Sequence, residues 1–399
     1  MEIGIYSLFS DKDNQESINQ SLQPFIKSVE KYLGESLVDI NPADIKKGDF
    51  LPVIMIKSGG VEEKFKRIYQ QFPHPYLLLA GCFYDALSAA LEIKEYLKKR
   101  GEQVEILHGS EKYIAGRLRL LKESFEAKKS CRRSRAGVLG EPSTRLIGSG
   151  ADYNIIRKKS GIRIYNIPIE EMVRHIDLVK DEDVSGDMDI QPAGFKKETV
   201  QQERRIYQGL KNLSREYNFN AITVSCSDLR DFYKNTGYLA LSLLNSEGII
   251  AGCDGDVPAL ISMIIANQLI KQPVFLASPS CIKQETNEII FANCFIPINM
   301  CESYEWKTHF ELETGIAICG KIKKGPVTLF KINGNMDNYY LAEGELTDNL
   351  ELPTLCPTQV KITLKEPVAD FLEKSISSHY IICRGLHLEK FEKYLSLIR

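Results

Sequence analysis

The segment Gly252-Cys253-Asp254-Gly255-Asp256-Val257-Pro258 carries two carboxylates one residue apart, after an apolar run and before a helical one. Such a pair is costly inside a core unless it is paired or metal-bound, so Asp254 and Asp256 are candidates for holding a cation or moving a proton. The same spacing also suits plain helix capping, because Asp is a common N-cap and Pro fits a first turn. Gly140-Glu141-Pro142-Ser143 stands in an equivalent place between a strand and a helical stretch. That is the carboxyl edge of an open α/β sheet, where ligands collect and where Ser143 could cap a helix. Gly59-Gly60 also follows a strand, and its amides could cradle an anion. No nucleotide fingerprint is present, since Gly148-Ser149-Gly150 lacks the third glycine in place.

The six histidines form no His-Glu-x-x-His motif and no i, i+4 pair, and no Gly-x-Ser-x-Gly elbow accompanies them. His74 lies between prolines, and His108, His175 and His387 have no evident partner in the sequence. His309 and His379 each begin a strand-like run. The ten cysteines include no C-x-x-C, and most sit in apolar stretches (Cys226, Cys253, Cys294, Cys319, Cys383). That pattern predicts buried reduced thiols, not a disulfide framework or a zinc ribbon.

Placing these residues requires strands that end at them. In the first third, strands Ile3 to Leu8, Leu51 to Ile56, Tyr76 to Ala80 and Val104 to Leu107 alternate with helices Gln15 to Leu33, Val61 to Gln71, Tyr84 to Lys98 and Glu111 to Ala127. Helix-separated strands imply parallel βαβ units. A basic run, Lys128 to Arg133, marks a boundary and reads as a solvated connector. Beyond it, strands Ala136 to Leu139, Arg163 to Ile167, Ala221 to Cys226, Ile249 to Gly252 and Val274 to Ala277 alternate with helices such as Lys197 to Tyr217 and Val257 to Ile270. An acidic loop, Lys180 to Asp183, interrupts them. From about Trp306 the runs become short, turn-bounded and alternating, as antiparallel strands are. The fold class is therefore α/β, with two Rossmann-like doubly wound domains (1–130 and 131–305) followed by a β-rich C-terminal domain (306–399).

Lys and Arg number 51 against 53 Asp and Glu, so no sequence-wide basic field exists to gather nucleic acid. No apolar run approaches the roughly 18–20 residues of a bilayer span. The first residues read as a strand and not as a signal peptide, and the expectation is a cytoplasmic protein without membrane partners.

Taken in order, several strings resemble the L-fucose isomerase-like family, whose fold L-arabinose isomerase shares. They are Gly140 to Ser143, Leu239 to Gly248, Ala251 to Pro258, Phe275 to Ser280, Asn293-Cys294, Thr308 to Glu311, Gly325 to Phe330, Ala342 to Glu345 and Ser378 to Tyr380. The resemblance implies an aldose–ketose isomerase acting on a small carbohydrate with Mn²⁺ or another divalent metal, assembled as a homo-oligomer. In that chemistry the metal stabilises an enediolate while a carboxylate moves the proton. The family's Glu-Gly-Asp motif corresponds to Asp254-Gly255-Asp256, which implies catalytic roles for both aspartates. Its late metal-ligand histidine corresponds to His379, so Asp254, His379 and Ser278 are the implied metal ligands. Ser278 stands where an acid is usual, and Asn293 where a histidine is. Asp254, Asp256 and His379 should converge on one pocket at strand ends, with Glu141, Ser143, Asn293 and His309 contacting substrate. The alternative is a non-catalytic carbohydrate-binding or regulatory relative with a degraded metal site.

Overall fold

Alternate residues of a strand point to opposite faces of its sheet, and the N-terminal strands use both faces for apolar contact. The computed structural model describes all residues except 12–13, 46, 181–193, 309–314 and 399. His309 and most of the acidic loop thus lie outside the described residues. Met1–Glu126 and Ala127–Arg399 form two compact units.

The first unit runs β1 (Glu2–Leu8), α1 (Gln15–Leu33), β2 (Val38–Asp39), α2 (Pro42–Ile45), β3 (Phe50–Ile56), α3 (Glu62–Ile68), β4 (Tyr76–Ala80), α4 (Ala86–Lys98) and β5 (Val104–Leu107), and the chain leaves it along α5 (Glu111–Cys131). The strands form one parallel sheet in the order β2-β1-β3-β4-β5. Leu51, Val53 and Met55 of β3 pack with Leu22 of α1 and Leu118 of α5. The intervening Ile54 and Ile56 pack with Phe65 of α3 and Ile93 of α4. Helices therefore cover both faces, as right-handed parallel crossovers require.

The second unit opens with β6 (Arg135–Leu139), α6 (Tyr153–Ser160), β7 (Arg163–Ile167), α7 (Ile169–Asp177), α8 (Lys197–Glu216), β8 (Ala221–Val224), α9 (Cys226–Tyr233), α10 (Tyr238–Ser246), β9 (Ile250–Cys253) and α11 (Val257–Ile270). Its four parallel strands lie in the order β7-β6-β8-β9. β8 stops two residues short of the expected Cys226 because the Ser225 side chain accepts a hydrogen bond from Asp228 N and caps α9. There follow β10 (Phe275–Lys283), β11 (Glu288–Asn293), β12 (Cys301–Lys307), β13 (Ala317–Ile322), β14 (Gly325–Ile332), β15 (Tyr339–Leu350), β16 (Thr358–Leu364), α12 (Val368–Lys374), β17 (Tyr380–Arg384) and α13 (Leu388–Ile398). Six of these strands close an antiparallel barrel, β10-β11-β16-β15-β14-β17, beside the β12–β13 ribbon.

Two expectations change here. The run at Val274 to Ala277 does not extend the parallel sheet; β10 pairs antiparallel with β11 and β17, so antiparallel pairing begins at Phe275 and not near Trp306. A four-residue turn returns the chain at once to β11, and no helix intervenes to carry it across for a parallel partner. The cysteines are not all reduced: Cys294 and Cys356 form a disulfide with Cα atoms 4.9 Å apart, and the other eight are free. Asn293 pairs with Thr358 across β11 and β16, so barrel closure brings together two cysteines that sequence separation kept unrelated.

α11 is apolar on every side and buried along nearly its whole length. It packs against β8 and β9 of the parallel sheet and against β14 and β17 of the barrel, which is what an all-round apolar helix demands. Its N-terminus consequently sits where sheet and barrel meet.

Candidate active site

From β6 the chain goes to β7 on one side, and β8 continues the sheet on the other, so the carboxyl ends of β6 and β8 form a topological switch point. The loops leaving β6, β8 and β9, joined by Ser378 and His379 just before β17, line a polar cleft of about 760 Å³. Glu141, Ser143, Asp254 and His379 all line it, together with Arg145, Ser227, Asp228 and Arg230.

The turn after β9 is knitted to the loop after β6. Asp254 and Gly255 adopt φ of 63° and 65°, a left-handed reversal, and Ser143 N donates to Asp254 O at 2.9 Å. A Cβ on Gly255 would lie 2.6 Å from Pro142 Cα, so only glycine permits this approach. Asp256 then starts α11 as its N-cap, accepting from Ala259 N at 2.8 Å. Its other oxygen accepts from His379 Nδ1 at 2.8 Å, and Lys331 Nζ of β14 lies 3.5 Å from Oδ1. The Asp256 and Lys331 side chains are wholly buried. Burial pushes the Asp256 carboxyl up, but the His379 hydrogen bond and the Lys331 charge hold it below the usual carboxylate range. Burial lowers the Lys331 ammonium, partly offset by Asp256.

With Nδ1 committed to Asp256, His379 turns Nε2 towards Asp254 Oδ2 at 3.9 Å, beyond hydrogen-bond reach. A histidine oriented by a carboxylate is the arrangement that prepares the other nitrogen as a metal ligand. Cys253 Sγ lies 3.4 Å from Asp254 Oδ2, and Cys253, Asp254 and His379 each offer a ligand atom within 4.8 Å of the others. This donor set fits a divalent ion.

Asp256 lies beneath the cleft and does not line it. Asn293 donates from Nδ2 to Leu276 O at 2.8 Å and accepts at Oδ1 from Cys294 N at 2.7 Å, so its amide closes the end of β11 and is absent from the cleft lining. Ser278 sits in β10 opposite Ala292 and is likewise absent from that lining. The sequence reading passed over Arg145, the Ser225-to-Asp228 segment, Arg230 and Lys331. Ser225-x-x-Asp228 after an apolar run is a helix-start signature, and a lysine between Phe330 and Ile332 is a local anomaly; both were legible signals.

His175 has partners that its sequence neighbourhood did not reveal. Its Nδ1 faces Glu171 O at 2.8 Å and its Nε2 faces Glu216 Oε2 at 3.1 Å. Arg174 grips Glu171 through two nitrogens, at 3.0 and 2.7 Å, and that guanidinium pulls the Glu171 carboxyl down to about 2. A cation already serves these glutamates, so the group reads as an ion-pair network joining α7 and α8.

The fold and cleft define a class of α/β protein with a polar switch-point site containing a carboxylate-anchored histidine beside an acid. No family model matches the chain. It is similar to the sulfoquinovose isomerase of Alkalicoccus urumqiensis, 22% identical over 320 residues, which are 75% of this chain and 71% of that protein. It is also similar to the sulfoquinovose isomerases of Priestia aryabhattai and Priestia megaterium, each 22% identical over 259 residues, which are 61% of this chain and 57% of each relative. The chain thus spans less than two thirds of the two Priestia proteins.

Proposed function

We propose that this protein is an aldose–ketose isomerase acting on a sugar derivative, with a divalent cation held by Asp254 and His379. The observation that carries the reading is the approach of His379 to Asp254 while its far nitrogen is anchored on Asp256, a residue 123 positions away. The three isomerases that the chain resembles support the reaction class. A bound divalent ion would polarise the sugar carbonyl and its neighbouring hydroxyl, stabilising the negative charge that develops as the C2 proton leaves. The remaining work falls to side chains. Glu141 opens on the cleft from the loop tied to Asp254, and we assign it to carry the proton from C2 to C1. Asp256 acts from below by fixing the orientation of His379.

The substrate that fits this cleft carries an acidic group. Arg145 makes no side-chain hydrogen bond or ion pair among the described residues and lines the cleft as a guanidinium suited to an oxyanion, whereas Arg230, also in the lining, is paired with Asp231 at 3.4 Å. The relatives are named for a sulfonated sugar, which agrees. Homo-oligomeric assembly belongs to the same reading.

The test is ketose formation, followed by NMR, from neutral aldohexoses and their 6-phosphate, 6-sulfonate and 6-carboxylate counterparts, with and without added divalent cations. Turnover that chelation abolishes, favouring the anionic sugars, is expected. Asp254→Ala should lower kcat/KM by about 10²–10³-fold or more, since it removes stabilisation of the transition-state charge, with an unchanged circular dichroism spectrum. Tight sugar binding without any turnover would instead favour a carbohydrate-binding role.

A further inference from the structure

We infer that Cys253 is a protein ligand of the site, completing a sulfur–oxygen–nitrogen tripod with Asp254 and His379 that selects a softer divalent ion such as Zn²⁺ or Co²⁺ over Mn²⁺ or Mg²⁺. The inference rests on the metal-binding reading above and decides which ion the site holds.

Consecutive strand residues ordinarily point to opposite faces, so Cys253 and Asp254 would not share a ligand. The left-handed conformation of Asp254, at φ 63°, breaks that alternation and brings its carboxylate to 3.4 Å from the Cys253 sulfur. For ligands at the usual ~2.0–2.3 Å of a tetrahedral zinc-type site, neighbouring ligand atoms lie about 3.3–3.8 Å apart. The sulfur–oxygen separation of 3.4 Å, at which the thiol donates to the carboxylate, falls in that range. The nitrogen–oxygen separation of 3.9 Å is wider than the ~3.3–3.4 Å of two nitrogen or oxygen ligands at ~2.0–2.1 Å and would shorten on binding an ion. Of the oxygens that the sequence reading expected to complete the site, the Asn293 amide is bonded to Leu276 and Cys294, and Ser278, next in register to the Ala277–Tyr380 pair of β10 and β17, does not line the cleft. Cys226 lines the cleft nearby, its sulfur 3.8 Å from Val224 O and beside the Asp254 backbone, but it is not among the residues whose ligand atoms converge within 4.8 Å. His379 is nine-tenths buried, and its uncommitted nitrogen faces the same point.

Three protein ligands with the cleft on the fourth side make the layout of a catalytic site, in which the open position takes substrate. Thiolate is a soft donor and changes the preference of a site otherwise hard enough for Mn²⁺. Coordination replaces the thiol S–H bond by a sulfur–metal bond and releases one proton to solvent, with no change of oxidation state.

The experiment is a titration of the metal-free full-length protein with Co²⁺, followed by near-ultraviolet absorption, alongside competition between Zn²⁺ and Mn²⁺ read by metal analysis after dialysis. A sulfur-to-cobalt charge-transfer band is expected in the wild type and in Cys226→Ser, and its loss in Cys253→Ser, which should still bind Co²⁺ at least about tenfold more weakly. The Zn²⁺-over-Mn²⁺ preference should fall by a similar factor in Cys253→Ser. Cys253→Ala, checked by circular dichroism, serves if the serine variant misfolds. An identical spectrum in wild type and Cys253→Ser, an unchanged ion preference, or no Co²⁺ uptake would each overturn the assignment. Mn²⁺-dependent turnover without the band would sink the ligand assignment and leave the isomerase reading standing; the band without turnover on the sugar panel would do the reverse.

Discussion

Lys331 and Asp256 meet where neither side chain reaches water; Lys331 would be an uncompensated buried charge without Asp256, whereas Asp256 would keep its hydrogen bonds from His379 and Ala259 N. Lys331→Met should therefore cost unfolding free energy, but less than the ~3–5 kcal/mol found when the surviving member of a buried pair is left uncompensated, because His379 and Ala259 N still hold Asp256. Lys331→Met combined with Asp256→Asn should recover part of that loss, because no charge is left behind. Urea unfolding of the two variants checks this, and a double variant as unstable as the single would count against the pairing. Glu203 is a second buried carboxyl, with no ion-pair partner among the described residues. Burial pushes it up to about 8, partly opposed by the Ile316 and Ala240 amides and by Asn235. Its folded pKa lies above its unfolded one, so its contribution is full below the unfolded value and is lost as pH rises towards the folded one. In that window each pH unit costs up to about 1.4 kcal/mol. Melting temperature should thus fall from pH 5 to 8 in the wild type and fall less in Glu203→Gln, the gap widening with pH; parallel curves would contradict this. Nothing in the residues around Glu203 marks it as buried, because a glutamate on the apolar face of a helix is recognised only once that face has a partner.

At the scale of elements, the turn between β9 and α11 connects every part of the site. Gly255→Ala would place a methyl against Pro142 in a left-handed conformation, and we expect a loss of about 1–3 kcal/mol and a displaced loop after β6. Calorimetry with substrate titration should show lower stability together with weaker binding; an undisturbed melting temperature would argue against the close approach. The Asp-Gly-Asp segment was readable as a strand end followed by a helix start, because Asp before a proline-bearing first turn has a local cause. That the capping aspartate also anchors His379 was not readable, since the histidine arrives from a barrel strand distant in sequence. Helices α7 and α9 went unread because short elements give little periodicity.

For the whole molecule, among the described residues no helix is long and apolar enough to cross a membrane. We expect light scattering to give a mass that is a multiple of 45.2 kDa, and a mass of 45.2 kDa alone would remove the oligomeric part of the proposed function. The sequence by itself determined that helix-separated strands come first and closely spaced strands last, because hydrophobic period and turn residues act over a few positions. It also marked Asp254, Glu141 and His379 as polar residues at strand ends. Only the tertiary structure decided that β10 belongs to a barrel, that Cys294 meets Cys356, that the Asn293 amide is bonded to Leu276 and Cys294, and that His379 comes near Cys253 and Asp254. Each of these depends on which distant strands pair and where one helix, α11, is buried between sheet and barrel. Such pairing is settled by the joint burial of apolar faces across the whole unit, and no local stretch of sequence contains it.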